Sequence, residues 1–112
     1  MRAHGAVASR AYDDDKLVQA ALADWRTAPV TPRVRAMLGF LEKLVQAPES
    51  LTPADATTLR DSGLSDAAIE DAIHVCALFS VYTRLADSFV FDIPDDAGFA
   101  QSASMLLKRG YG

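Results

Sequence analysis

The sequence predicts an all-α protein, and three observations support this prediction. Its longest uninterrupted stretch, residues 65–91, contains neither glycine nor proline. Two Thr-Pro pairs, Thr31-Pro32 and Thr52-Pro53, each combine a capping hydroxyl with a proline at the first helical position, where the missing N–H costs no hydrogen bond. No stretch shows the alternation of apolar and polar residues, flanked by turn residues, that predicts a strand.

Residues 65–91 form the predicted central helix, which is about 25 residues or about 35 Å long at a rise of about 1.5 Å per residue. Ser65 is suited to cap its start, and acidic residues follow near the positive end of the helix dipole. The apolar residues follow several lines along the helix: Ile69, Ile73, Cys76 and Ser80; Ala72, Val75, Phe79 and Tyr82; and Leu78, Leu85 and Phe89. A helix that is apolar nearly all round is typically buried, so we predict a long buried central helix. His74, Arg84 and Asp87 interrupt the apolar run, which excludes a transmembrane span.

Two helices are predicted in the first 25 residues. Residues 1–12 have the Ala-rich composition of the end of a helix, without a capping residue before it. Residues 13–25 begin with three aspartates and continue with leucines and alanines at helical spacing. A turn between Trp25 and Pro29 ends this second helix.

Three further helices complete the predicted order. Thr31 starts an amphipathic third helix that continues to Gln46, and Pro48 stops it. Thr52 starts a short fourth helix, which Gly63 ends in the left-handed conformation. A last helix follows residues 94–96, and its inward-facing residues are predicted to be Phe99, Ser102, Met105 and Leu106.

The bulk composition limits the class of protein. With 112 residues, 50% of them hydrophobic, the chain is predicted to be one domain, residues 1–112, with a modest core. Its net charge of -4 argues against a nucleic-acid partner or an anionic membrane. The single cysteine excludes an intramolecular disulfide, and no signal peptide is recognisable, so we expect a cytoplasmic protein. The scattered His, Cys and carboxylate residues and the lack of a Gly-rich phosphate loop predict neither a metal site nor a cofactor.

Several segments taken together resemble a known superfamily. They are residues 51–69, residues 77–79 followed by 84–87, and residues 23–29 running into 32–38. This pattern is similar to the alkylhydroperoxidase D-like, carboxymuconolactone decarboxylase superfamily, and within it to the peroxidase-related proteins. The resemblance extends over essentially the whole chain and implies the all-α alkylhydroperoxidase D-like fold.

The resemblance also implies an antioxidant thiol peroxidase activity on organic hydroperoxides. In that family, a helix carries Cys-x-x-Cys-x-x-x-His: one thiolate attacks the peroxide, the other cysteine resolves the sulfenate, and the histidine takes part in proton transfer. His4 matches the motif histidine, and the two cysteines would precede Met1. The domain is therefore interpreted as N-terminally truncated, and the chain as not competent in peroxidase chemistry without the dithiol. A dithiol reductant protein is the partner that such an activity needs.

Other candidate residues lie on the central helix. Cys76 is the one thiol of the chain, and apolar surroundings would raise its pKa and make it inert. Glu70 and His74 are four residues apart, so they could form a pair for proton transfer or a structural polar pair, which we favour. Arg84 and Asp87 are interpreted as a structural salt bridge rather than a substrate clamp, because buried charges need partners.

Two classes of function remain open from the sequence. The first is the peroxidase-related enzyme, with a carboxymuconolactone-type lactone decarboxylase as a weaker variant. The second is a non-catalytic paralogue that serves as an oligomeric scaffold or binds a small molecule. In either class we expect a homo-oligomer, because so apolar a helix in so small a chain needs a partner subunit to cover it.

Overall fold

The structure is a computed structural model that describes residues 2–110, with side chains from His4 onward. Six α-helices lie within this range, and none of its residues is in a strand. The helices are α1 (Arg2–Tyr12), α2 (Asp15–Asp24), α3 (Pro32–Gln46), α4 (Pro53–Asp61), α5 (Asp66–Phe89) and α6 (Asp96–Arg109). A short 3-10 helix, Pro48–Ser50, which the sequence analysis did not predict, separates α3 from α4. The all-α prediction is confirmed.

The chain divides into two compact units, each with its own packing. Unit 1 combines residues 1–30 with residues 92–112 and contains α1, α2 and α6. Unit 2, Thr31–Phe91, contains α3, the 3-10 helix, α4 and α5. The expectation of a single domain over residues 1–112 stays a prediction.

In unit 1, α1 packs against both α2 and α6. Asp13 adopts the left-handed conformation with φ 51° and ends α1, and the Asp14 N–H donates to the Ser9 carbonyl at 3.3 Å. The Asp14 carboxylate then accepts the Leu17 N–H at 2.9 Å and caps α2. The Asp95 carboxylate caps α6 in the same way, by accepting the Gly98 N–H at 2.8 Å. The buried side chains of this unit are Val18, Ala28 and Ala103.

In unit 2, α3 packs against α4 and α5. Thr31 caps α3, as predicted, with its hydroxyl 3.4 Å from the Val34 nitrogen. Gly63 has φ 88°, and a Cβ at this position would lie 3.0 Å from Arg33 Nε, so the turn between α4 and α5 requires a residue without a side chain. Leu59 of α4 is fully buried in the contact with α3.

The long helix α5 forms where the sequence predicts it, with 24 residues. The Ser65 hydroxyl accepts the Ala68 N–H at 3.2 Å and caps its start. At its end, Val90 adopts a left-handed conformation with φ 51°, and the Phe91 N–H donates to the Ala86 carbonyl at 3.1 Å. A β-branched residue is rare in this conformation.

The prediction that α5 is buried is wrong for the single chain. Among its residues, all of which the structure describes, Ile69 alone belongs to the buried class. The line that the sequence analysis drew through Ile69, Ile73, Cys76 and Ser80 is buried or half-buried, whereas most of the other apolar side chains are exposed. The reason is that α3 packs against α5 on one side. Most apolar side chains on the remaining sides stay exposed, although the Phe89 ring stacks on the Phe91 ring with 6.2 Å between their centroids.

Within residues 2–110, none of the helices is long and apolar enough to span a bilayer.

Candidate functional site

A cleft of about 730 Å³ lies between the three helices of unit 1. It is lined by Gly5, Ala6, Ser9 and Arg10 of α1, by Asp15, Gln19 and Leu22 of α2, and by Asp96, Phe99 and Ala100 of α6. Gly5 lies close to α2, because a Cβ at this position would be 3.2 Å from Leu22 Cδ1. The small residues of α1 and α6 therefore leave the space that the cleft occupies.

The lining of this cleft combines apolar and polar groups. Leu22 and Phe99 supply apolar surface, and Asp15 and Gln19 supply oxygen and nitrogen atoms for hydrogen bonds. Arg10 donates to the Ser104 hydroxyl, which joins α1 to α6 and fixes the guanidinium at the cleft. A small molecule with an apolar body and a polar group is the class of ligand that such a lining suits.

His4 directly precedes the cleft residue Gly5 on α1, and its side chain is exposed. Partial burial lowers the pKa of His4 below its ordinary value of 6.5. A lower pKa increases the neutral fraction of the imidazole at neutral pH, and the neutral form is the one that accepts a proton. The assignment of His4 as the motif histidine stays a prediction.

Cys76 lies on the line of α5 that also contains Ile69 and Ile73, and it is a half-buried free thiol. Because the sequence contains a single cysteine, no second thiol of this chain can resolve it. His4 belongs to unit 1 and Cys76 to unit 2. Within neither unit does the described structure combine the predicted histidine with a thiol.

Glu70 and His74 do not form the predicted pair. Both side chains are exposed on α5, and no hydrogen bond or ion pair joins them in the described range of residues 2–110. Water can solvate each of the two side chains separately, so a contact between them would add little to the stability of the helix. The four-residue spacing alone therefore predicted a pair that this structure does not contain.

The predicted salt bridge between Arg84 and Asp87 is also absent, and this prediction is wrong for the described structure. Arg84 instead donates from its guanidinium to the Ser80 carbonyl, one turn earlier, at 2.8 Å. The prediction assumed that both charges were buried, but both side chains are exposed. Exposed charges need no protein partner, because water solvates them.

Sequence reasoning missed the polar residues that line the cleft, and it missed an ion pair in unit 2. Lys43 Nζ lies 2.8 and 2.9 Å from the two carboxylate oxygens of Asp55 and joins α3 to α4. The hydrogen bond from Lys43, followed by those from the backbone and the hydroxyl of Thr52, lowers the pKa of Asp55 to about 2. One signal was available in the sequence: Asp55 is the third residue after the helix-capping Thr52, a position where acidic side chains accept backbone N–H groups.

A metal centre was not expected from the sequence. Within residues 2–110, no three His, Cys, Asp or Glu side chains cluster closely enough to hold a metal ion.

Comparison with known proteins relates the chain to one type of fold. No family model and no curated protein matches it. A similar solved structure is that of an alkylhydroperoxidase AhpD core, an uncharacterized peroxidase-related protein from Ralstonia eutropha JMP134. The TM-score is 0.80 and the sequence identity is 27% over 91% of this chain, which corresponds to 53% of the other chain. The chain thus has an alkylhydroperoxidase D-like fold and spans about half the length of that relative.

Proposed function

We propose, from its alkylhydroperoxidase D-like fold, that this chain is part of a peroxidase-related antioxidant protein that reduces organic hydroperoxides with thiols. The observation that carries this proposal is the similarity to a peroxidase-related protein over 91% of the chain. The chain contributes the helices of the domain and His4, and the dithiol is contributed by a segment outside residues 1–112. The single cysteine of this chain makes such a contribution necessary for a dithiol cycle.

The proposed chemistry is a dithiol cycle. A thiolate attacks the outer peroxide oxygen, the O–O bond breaks, and the alkoxide takes up a proton and leaves as an alcohol. The resulting sulfenic acid condenses with the second thiol to a disulfide and releases water. A dithiol reductant protein then reduces the disulfide by exchange. His4 would accept a proton from a thiol and pass it on to the alkoxide. Its lowered pKa keeps the imidazole neutral, and therefore able to accept that proton, near neutral pH.

The cleft of unit 1 supports an organic rather than an inorganic peroxide as the substrate. Its volume of about 730 Å³ exceeds what hydrogen peroxide requires, and Leu22 and Phe99 offer apolar surface for an alkyl or aryl group. Gly5, the residue after His4, is one of the residues that line the cleft. A substrate in this cleft would therefore lie next to the helical turn that carries the proposed proton donor.

The test is consumption of cumene hydroperoxide and tert-butyl hydroperoxide with dithiothreitol as the reductant. We expect turnover from the complete polypeptide that the gene encodes, and none above background from residues 1–112. In the complete polypeptide, His4→Gln is expected to lower the rate by about 10²–10⁴-fold, the usual contribution of general acid–base catalysis. His74→Gln is the matched control, because this exposed histidine of α5 forms no side-chain hydrogen bond or ion pair within residues 2–110.

Two results would contradict the proposal. The first is a complete polypeptide without hydroperoxide turnover, which would favour the non-catalytic alternative of a scaffold or binding module. The exposed apolar residues of α5 are the observation that favours this alternative. The second is turnover by residues 1–112 that Cys76→Ser abolishes, which would assign the chemistry to a single thiol.

A further inference from the structure

The cleft of unit 1 has two chemically different ends, because α1 and α2 run antiparallel along it. A Cβ at Gly5 would lie 3.2 Å from Leu22 Cδ1. Where the chain passes from α1 to α2, the Asp14 N–H donates to the Ser9 carbonyl at 3.3 Å. Of the residues that line the cleft, Gly5 and Leu22 therefore form an apolar end, and Ser9 and Asp15 form a polar end.

The helical rise gives the distance between these two ends. Gly5 and Ser9 are four residues apart on α1, and Asp15 and Leu22 are seven residues apart on α2. At a rise of about 1.5 Å per residue, the two ends are about 6–10 Å apart. His4, the residue proposed to transfer the proton, directly precedes Gly5 at the apolar end. A substrate that reacts beside His4 therefore directs its other end towards Ser9 and Asp15.

The charges of the lining are unequal. One arginine and two aspartates line the cleft, namely Arg10, Asp15 and Asp96. The Arg10 guanidinium donates to the Ser104 hydroxyl, and Asp96 already has an interaction partner in the protein. The exposed Asp15 side chain forms no hydrogen bond or ion pair within residues 2–110. Its carboxylate is therefore available to interact with a ligand.

The neighbours of Asp15 strengthen the acceptor character of the polar end. Gln19 lies one turn later on the same side of α2, and its side chain offers an amide oxygen to the cleft. Lys16 directly follows Asp15, but consecutive residues of a helix do not face the same way, and Lys16 does not line the cleft. A ligand group that donates hydrogen bonds is suited to this end. A carboxylate at the same place would meet Asp15 with like charge.

We propose that the cleft binds its substrate in one orientation and selects it by charge, and that Asp15 is the residue that determines this specificity. The preferred substrate carries a hydroxyl, amide or ammonium group about 6–10 Å from its reacting end, the separation that the helical rise gives. A substrate with a carboxylate at that position is disfavoured. The inference rests on the proposed function for one point only, that the reacting group is a hydroperoxide.

The first experiment measures binding of alcohols, which are the products of hydroperoxide reduction and need no dithiol to bind. Three hexanols of equal length serve as probes: aminohexanol, hexanediol and hydroxyhexanoate, with an ammonium, a hydroxyl or a carboxylate at the far end. Each is titrated at neutral pH into isotope-labelled residues 1–112, and amide NMR shifts report the dissociation constant. We expect aminohexanol to bind tightest and hydroxyhexanoate weakest, with dissociation constants that differ by about threefold to tenfold.

Two variants separate the effect of Asp15 from that of the net charge of -4. Asp15→Asn should bring the dissociation constants of aminohexanol and hydroxyhexanoate to within about twofold of each other. Asp92→Asn is the matched control, because it removes the same charge from an exposed residue of unit 1 that does not line the cleft. This control should keep the order of the native protein. Far-UV circular dichroism establishes that both variants keep their helices.

The same spectra test the orientation of the ligand. Aminohexanol and hydroxyhexanoate differ at one end only, so the amide shifts that they cause should differ most where that end lies. We expect the largest differences at Ser9, Asp15 and Gln19, and small ones at Gly5 and Leu22. The largest differences at Gly5 and Leu22 would contradict the proposed orientation.

The second experiment measures hydroperoxide turnover by the complete polypeptide. With six-carbon hydroperoxides, Asp15→Asn should raise KM for the substrate with a terminal ammonium group and lower KM for the substrate with a carboxylate. In both cases kcat should stay the same, because Asp15 contributes to binding away from the reacting atoms. The kinetics of tert-butyl hydroperoxide should not change, because this substrate is too short to reach Asp15 from the apolar end. A loss of kcat with every substrate would indicate a structural role of Asp15 instead.

Four binding results would overturn the proposal: no binding of the three alcohols, equal binding of all three, an order that Asp92→Asn also removes, or tightest binding of hydroxyhexanoate. The last result would assign recognition to Arg10. If the alcohols bind in the expected order and the complete polypeptide reduces no hydroperoxide, the proposed function fails while selection by Asp15 holds. Turnover without the expected order has the opposite meaning.

Discussion

The contact between α3 and α4 and the exposed apolar side of α5 lie in the same unit, but their apolar side chains have opposite surroundings. Leu59 of α4 is 1% exposed, whereas Leu78 of α5 is 58% exposed. Both leucines belong to apolar lines of the kind that predict burial. The comparison shows that an apolar face on a helix predicts a covering surface. It does not show whether that surface belongs to the same chain.

The largest expected effect contrasts these two leucines directly. Leu59→Ala should lower the free energy of unfolding by about 2–5 kcal/mol, because it leaves a cavity between α3 and α4. Leu78→Ala should change it by less than about 0.5 kcal/mol, because this side chain is exposed. Urea denaturation of the two variants at submicromolar concentration measures both values. Equal losses would show that Leu78 is covered within the single chain.

A second prediction concerns the charges at the contact between α3 and α4. The folded pKa of Asp55, about 2, lies below its ordinary value of 3.8, so the ionised carboxylate stabilises the fold. This stabilisation is complete above pH of about 4 and is lost as the pH falls towards 2. Urea midpoints measured across this range should fall in the native protein, and part of that slope should disappear in Asp55→Asn.

Glu70→Gln on α5 is the control for the pH experiment. Glu70 is exposed and forms no side-chain hydrogen bond or ion pair within residues 2–110, so this variant should keep the slope of the native protein. If Asp55→Asn keeps the slope as well, the bond between Lys43 and Asp55 does not hold in solution.

A third, smaller effect is expected at the start of α5. Ser65→Ala removes the hydroxyl that accepts the Ala68 N–H, and the loss of such a cap costs about 1 kcal/mol. Thermal unfolding followed by circular dichroism should show a midpoint lower by several degrees. Ser88→Ala, at an exposed position inside the same helix, should produce no comparable loss. Equal midpoints for the two variants would mean that packing against α3 alone holds the start of α5.

The smallest effect is expected for Arg84 and Asp87. Since no ion pair joins them, a double-mutant cycle of Arg84→Ala and Asp87→Ala should give a coupling energy below about 0.3 kcal/mol. Chemical denaturation of the two single variants and the double variant gives this value. A coupling of about 1 kcal/mol would restore the salt bridge that the sequence analysis predicted.

The helix boundaries were predictable because their signals are local. Thr31, Ser65 and Asp95 each cap a helix with an oxygen that accepts an N–H three residues later, and Gly63 supplies the left-handed turn. These contacts depend on neighbouring residues and hardly on the rest of the fold. The 3-10 helix at Pro48–Ser50 escaped prediction because one short turn leaves no periodic pattern.

The surroundings of α5 and the site were less predictable, because they depend on contacts between distant residues. Arg10 and Ser104 are 94 positions apart and meet through the packing of α1 on α6. The predicted pairs on α5 failed for a related reason: spacing brings two residues to one side of a helix, but exposure decides whether they bond. His4 was selected by resemblance, and its place beside the cleft could not be read from spacing.

The left-handed turn at Val90 gives α5 two unequal ends. This turn costs a β-branched residue of the order of 1–2 kcal/mol, and the side chain is exposed, so no packing offsets the cost. The opposite end is held by the Ser65 cap and by buried Ile69. Amide hydrogens should therefore exchange with solvent first in the last turn, near Phe89, and progressively more slowly towards Ile69. We therefore expect local unfolding of α5 to begin at its carboxyl end.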